Sequence, residues 1–340
     1  VSAPPAPVPH RLRFVTPPGA LISWPEAFGR RFLVSVDVEE EFDWSRPFSR
    51  AARSVAAVAA LPAFHARLTA AGVAPVYLID HPVAADPRAA ATLRALDAEI
   101  GAQLHPWVNP PHEEAPSPIA SFAGNLPAAL EAAKLDVLVA AITQAIGTPP
   151  RAFRAGRYGL GPATLPLVAA RGFAADLSMR ARHDYRAAGG ADFTRVGVPA
   201  FRLAEGPVEL PLTTVFTGAL RRAGARLDPV AARVPRGRAL LARPGLLSRV
   251  PLTPEGVSAR EAVAAIGAAA ADGERLLHLA FHSPSLVPGN TPYVRDARDL
   301  ARFMAWWDAV LPALAAAGYA PVSLDAVLRA VGPAGLEPAT

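Results

Sequence analysis

The chain has 340 residues, 51% of them apolar, enough for a sizeable core. It has no cysteine, which excludes disulfides, thiolate metal sites and a cysteine nucleophile. The net charge of +5 comes from 34 basic residues, all arginine except Lys134, and their scatter argues against a nucleic-acid partner.

Residues 1–30 are proline-rich and unpatterned and read as an N-terminal extension without an apolar signal segment. From Arg31 onward, strand-length apolar runs alternate with alanine-rich helical stretches. The runs are FLVSV (32–36), PVYLI (75–79), EIGAQLH (99–105), RAFRAG (151–156), FAADLSM (173–179), LLHLAFH (276–282) and YAPVSL (319–324). Helices are predicted near 53–71, 88–97, 126–147, 162–171, 258–271 and 296–317. Several end in glycine just before the next strand, as in AAGVAPVYLI and AAAGYAPVSL, the left-handed stop expected there. This rhythm predicts a parallel sheet, open or closed. No GxGxxG or GxxxxGK[ST] follows a strand, which disfavours a dinucleotide or P-loop protein. The segment 185–255 is less regular, with a strand at VELPLTTVF (208–216), and reads as an insertion of helices and loops within one α/β domain over 31–330. Residues 331–340 read as a C-terminal tail. No apolar run reaches the roughly 18 residues a spanning helix needs, and the expected compartment is cytoplasmic.

Polar residues stand at the C-terminal ends of successive predicted strands: Asp37 and Glu39, Asp80 and His81, Gln103 and His105, Arg154 and Arg157, Asp176 and Ser178, and His282. In parallel α/β architectures those ends line the face that carries the site. The strand period of two places Asp37 with Glu39, and Gln103 with His105, on common sides. Glu40, Glu41 and Asp43 read as a solvated acidic turn. His10, His65, His183 and His278 read as structural or surface residues, and His112 as a loop residue. Trp44, Trp107, Tyr158 and Tyr293 lie just beyond strand ends, where aromatics either stack on sugar rings or pack inward. Asn125 is expected to cap a helix, and Trp306 and Trp307 to pack on the sheet.

Four blocks in order, SVDVEEEFDW, EIGAQLHPWVNPP, FRAGRYGLG and FHSPSLVPGNTPYVRD, resemble the NodB-homology polysaccharide deacetylases, closest to their WalW-like branch. The resemblance runs from about Phe32 to Leu328. It implies a distorted (β/α) barrel of about seven strands with a site at the strand C-termini. The implied reaction is metal-dependent hydrolysis of the N-acetyl group of an amino sugar in a glycan or glycan precursor. By the same resemblance Asp37 is the general base, Arg154 orients it, His282 is the general acid and Glu39 binds a divalent metal, zinc being the first choice. The second block departs from the family pattern: Gln103 and Trp107 occupy the two positions usually held by metal-binding histidines. His105, with His81 as a possible third ligand, is then the replacement, or the site has lost its metal. Gln103, Trp107, Arg157, Tyr158 and Tyr293 are the candidate substrate contacts, with carbohydrate the implied partner. A catalytically silent carbohydrate-binding protein is the alternative. Glycoside cleavage by Asp37 with Glu39 or Glu209 ranks last, because two carboxylates on one strand flank a glycosidic bond poorly.

Overall fold

The computed structural model describes residues 7–204 and 206–332. Its strands are β1 (Arg13–Val15), β2 (Arg30–Val38), β3 (Val76–Ile79), β4 (Glu99–Leu104), β5 (Ala152–Ala155), β6 (Ala175–Asp176), β7 (Asp192–Arg195), β8 (Phe201–Arg202), β9 (Val208–Glu209), β10 (Thr214–Thr217), β11 (Ser248–Pro251), β12 (Leu276–His282) and β13 (Tyr319–Pro321). Alternation along β2 sets the architecture. Phe32, Val34, Val36 and Val38 join a core with Leu61, Phe64, Phe303 and Trp307 from the covering helices. The opposite side gathers Leu33, Leu78, Ala152, Ala175, Val208 and Leu276 from six strands into one cluster, as a curled sheet allows.

The main sheet has nine strands, where the resemblance implied about seven. Its order is β12-β2-β3-β4-β5-β6-β9-β8, with β13 paired to the start of β2. All these pairs are parallel except β8 with β9. Beyond β9 the chain crosses towards the other edge, where Thr213 N donates to His278 O (3.0 Å) and His278 Nδ1 to Leu210 O (2.9 Å). The helices Leu61–Ala70, Ala128–Ile146, Ala259–Ala271 and Ala297–Ala316 supply the outer layer, and Trp306 and Trp307 are buried in it.

The proline-rich start lies along the domain through a parallel pairing of β1 with β7. Within the irregular segment, β10 and β11 form an antiparallel pair, and two short helices, Gly224–Ala231 and Gly237–Ala242, lie between them in sequence. The expected tail falls mostly at 333–340, outside the described residues. No described helix is long and apolar enough to cross a membrane.

The only lysine fixes the loop that follows β4. Lys134 is fully buried, and its Nζ donates to the carbonyls of Pro106 (2.9 Å), Asn109 (2.6 Å) and Pro111 (2.7 Å) and pairs with Glu114 (3.1 Å). A buried ammonium without such partners is expensive, and so is each partner left without it. Lys134→Met is therefore expected to lower unfolding free energy by about 3–5 kcal/mol in urea titration. A change within about 0.5 kcal/mol, the range of an ordinary surface substitution, would show that the loop does not depend on it.

Candidate active site

The site is built on the floor of the curled sheet. Arg154, 1% exposed, projects inward from β5. Its Nε donates to Leu177 O (2.9 Å), its Nη2 to Ser35 Oγ (2.8 Å), and its Nη1 to Asp37 Oδ1. Burial and the Arg154 charge push the pKa of His278 down to about 3, so its ring is neutral. With Nδ1 donating to Leu210 O, its Nε2 accepts from Ser35 Oγ (2.8 Å). The expectation that His278 is structural or on the surface resolves to the first: it is part of this floor.

Register brings His282 and Asp37 together. His282 stands directly opposite Asp37 across the parallel β12–β2 pair. His282 Nε2 lies 3.6 Å from Asp37 Oδ2, and its Nδ1 lies 2.7 Å from Glu255 Oε2. Glu255 is itself held by Ser285 Oγ (2.5 Å) and by the His282 amide (3.1 Å). Burial works against a charged His282 ring, yet Glu255, Glu39 and Asp37 hold its pKa up to about 10. Burial also raises Glu255, but the His282 charge and these hydrogen bonds bring it below its ordinary value. Glu255 was missed in the sequence because it sits in the loop after β11, in an irregular segment with no strand-end signal.

A second group lies beside the first. His105 stacks on Trp107 at 4.4 Å and shares Nδ1 with Glu40 Oε2 (2.8 Å), leaving Nε2 3.5 Å from Glu39 Oε2. Glu40 also accepts from Trp107 Nε1 (2.7 Å), and its amide donates to Asp80 Oδ2 (2.9 Å). The reading of Glu40 as part of a solvated turn is corrected: it is fully buried, and Asp80, Trp107 and His105 draw it inward, while Asp43 remains exposed. Burial pushes Glu39 up to about 7, opposed by His282 and His105 and reinforced by Asp37 and Asp80. Burial pushes Glu40 up to about 8, and Asp80 is raised well above its ordinary value by burial and by Glu40. Gln103 Nε2 donates to Glu39 Oε2 (3.2 Å), and Gln103 Oε1 is buried with no partner.

Ligand atoms of Asp37, Glu39 and His282 lie within 4.8 Å of one another, as do those of Glu40, Asp80 and His105. The second trio is engaged internally and orients His105 as an outer shell orients a ligating imidazole. Glu39 and the Nε2 of His105, 3.5 Å apart, offer a mixed oxygen and nitrogen donor pair of the kind divalent cations take, with the Gln103 amide beside Glu39. Gly156 is required here, since a Cβ would come within 2.3 Å of His105 Cδ2.

These groups open into a cleft of about 340 Å³. Gln103, Arg157, Tyr158 and Tyr293 line it together with Asp37, Glu39, His105, Arg154 and His282, as do Trp44 and Arg180. Two expected site residues lie elsewhere. Trp107 is 2% exposed and supports His105 from behind, because its indole N–H finds Glu40. His81 joins neither group, because Asp80 caps the helix His81–Ala85 and the ring lies towards Arg53 and His112. Glu209, offered as a glycosidase partner, is fully buried beside Asp176 and does not line the cleft. Asp37 and Glu39 are too close to flank a glycosidic bond. Asn125 caps no helix; it ties His10, Ile119 and Gly189 together.

No protein-family model matches the sequence, and no curated protein matches it. Solved structures do. A protein described as a probable polysaccharide deacetylase from Pseudomonas aeruginosa PAO1 is 15% identical, with 90% of this chain and 92% of that chain covered and a TM-score of 0.50. A polysaccharide deacetylase candidate from Mycobacterium smegmatis is 17% identical over 91% and 98% of the two chains, with a TM-score of 0.46. A family 4 acetyl xylan esterase from Clostridium thermocellum, in complex with a cobalt ion, is 14% identical over 87% and 89%, with a TM-score of 0.39. The fold is that of the polysaccharide deacetylases. At such identities the chemistry rests on the residues themselves.

The Glu255 contact is directly testable. In protein stripped of metal, Glu255→Gln is expected to lower the titration midpoint of His282, followed by imidazole NMR, by about 1–3 pH units. An unchanged midpoint would mean that Glu255 does not set the charge of this ring.

Proposed function

We propose that the protein is a metal-dependent hydrolase of the polysaccharide deacetylase type, which removes an N-acetyl group from an amino sugar of a glycan or glycan precursor. The observation that carries this reading is the pairing of opposed groups across one cleft. A carboxylate is held by a buried guanidinium, and an imidazole is held by a second carboxylate that favours its protonated form.

Each residue then has a definite task. Arg154 occupies Asp37 Oδ1 and leaves Oδ2 towards the cleft, where it takes the proton of the attacking water. The water oxygen adds to the acetyl carbon, the C–N bond breaks, and acetate and a free amine leave. His282, protonated through its contact with Glu255, delivers a proton from Nε2 to the departing nitrogen. Glu39 and His105, with Gln103 alongside, would hold the metal, whose contribution when bound is Lewis-acid polarisation of the amide carbonyl and the water. Zinc suits a mixed nitrogen and oxygen donor set. Tyr158, Tyr293 and Trp44 line the cleft, where aromatic rings can stack on sugars.

Acetate release from a panel of N-acetylated oligosaccharides tests the reading. The wild type, supplied with divalent metal, is expected to release acetate. Asp37→Asn and His282→Ala are each expected to lower kcat by about 10²–10⁴. Oligosaccharide binding without any acetate release would instead support the catalytically silent carbohydrate-binding protein.

A further inference from the structure

Three guanidinium groups line the cleft, and among the described residues only that of Arg154 has a carboxylate partner. Arg157 lies between the rings of Phe48 (5.0 Å) and Phe122 (4.2 Å) and donates to Ser121 Oγ and to Pro118 O (3.3 Å). Arg180 is less satisfied. Its one side-chain hydrogen bond is a long contact from Nη1 to Tyr185 Oη (3.4 Å), and its guanidinium carbon stands 5.6 Å from the centre of the Tyr158 ring. Its backbone is pinned by a bridge to Leu212 and by Ala181 N donating to Leu212 O (3.1 Å). A guanidinium carries five donors in a planar fork that matches a carboxylate or phosphate. Here most of that fork is unused.

Position adds to the case. Arg180 lines both the main cleft and a recess of about 50 Å³, together with Asp37, Tyr158, Tyr293 and His282. It therefore faces the sugar unit being processed or its neighbour. Tyr158, Tyr185 and Tyr293 flank it in the cleft, where Arg157, which has no ion-pair partner among the described residues, adds a second positive charge across from Asp37 and Glu39.

We propose that Arg180 is a specificity-determining residue that binds an anionic group of the substrate, a carboxylate or a phosphate carried beside the acetylated amino sugar. The substrate class of the hydrolase is then an acidic or phosphorylated saccharide, and this inference rests on the deacetylase reading above. The planar fork engages two oxygens of the anion at once, which fixes the sugar's orientation over Asp37 and His282. A neutral glycan leaves the fork unpaired and binds less tightly.

Calorimetric titration of the full chain with two matched pairs tests this. One pair is a hyaluronan tetrasaccharide against chitotetraose, which probes a carboxylate. The other is N-acetylglucosamine 1-phosphate against N-acetylglucosamine, which probes a phosphate. At least one anionic member is expected to bind about tenfold tighter than its neutral partner. Arg180→Gln should remove that margin. Arg180→Lys, which keeps the charge and loses the fork, should remove part of it and serves if the glutamine variant does not fold. No tighter binding in either pair, including no binding at all, overturns the proposal, as does a margin that survives Arg180→Gln. Acetate release from the same four compounds reads the hydrolase separately. Equal release from neutral and anionic members contradicts the subsite and leaves the hydrolase standing. An anionic margin without any release contradicts the hydrolase and leaves the subsite standing.

Discussion

A guanidinium sealed inside a curled sheet imposes conditions on everything around it. Arg154 must be neutralised and its N–H groups must be used, and the available partners are Asp37 and Ser35 on β2 and the Leu177 carbonyl just past β6. Ser35 in turn engages His278 on β12. One side chain from β5 therefore ties β2, β6 and β12 into a single register. A slip of one residue on β2 would turn Asp37 outward and bury an unpaired charge. The same arrangement commits one oxygen of Asp37 to Arg154 and leaves the other facing His282.

Around this floor, buried charges are arranged in two tiers. The inner tier, Asp37, Glu39 and His282, faces the cleft. The outer tier, Glu40, Asp80 and Trp107, is consumed in holding His105 so that one nitrogen is fixed and the other points at Glu39. Burial, with smaller contributions from neighbouring carboxyl groups, raises Glu39 to about 7 and Glu40 to about 8, so a positive charge placed beside them would be stabilising. Lys134 contributes from a distance, holding the turn after His105 through three carbonyls.

Much of this was legible in the sequence, for identifiable reasons. The period of two placed Asp37 and Glu39 on one strand side, and strand-end placement singled out Gln103, His105, Arg154 and His282, all of which line the cleft. That logic reaches only residues on regular strands. Glu255 and Arg180 come from irregular segments, where no periodicity says which way a side chain faces. Glu40 sits one residue out of phase with Glu39, so alternation sent it away from the site. It does point away, but into a buried pocket made by Asp80 and Trp107 instead of into water. Trp107 and His81 show the complementary limit: proximity to a strand end does not fix direction once a turn or a helix cap intervenes. Of the nine strands in the main sheet only β8 had no counterpart among the apolar runs, because at two residues it is too short for a hydrophobic pattern to mark, whereas β13 lies within YAPVSL.

A hydrolase of this kind needs Glu39 and His105 to hold a metal, although glutamine and tryptophan stand at the usual histidine positions. Elemental analysis of protein purified without chelator or a metal-binding tag measures this directly, with wild type beside Glu39→Ala and His105→Ala. The account predicts about one equivalent of divalent metal per chain in the wild type and its loss in both variants. A wild type that takes up no metal after incubation with zinc, cobalt, nickel or manganese would contradict it.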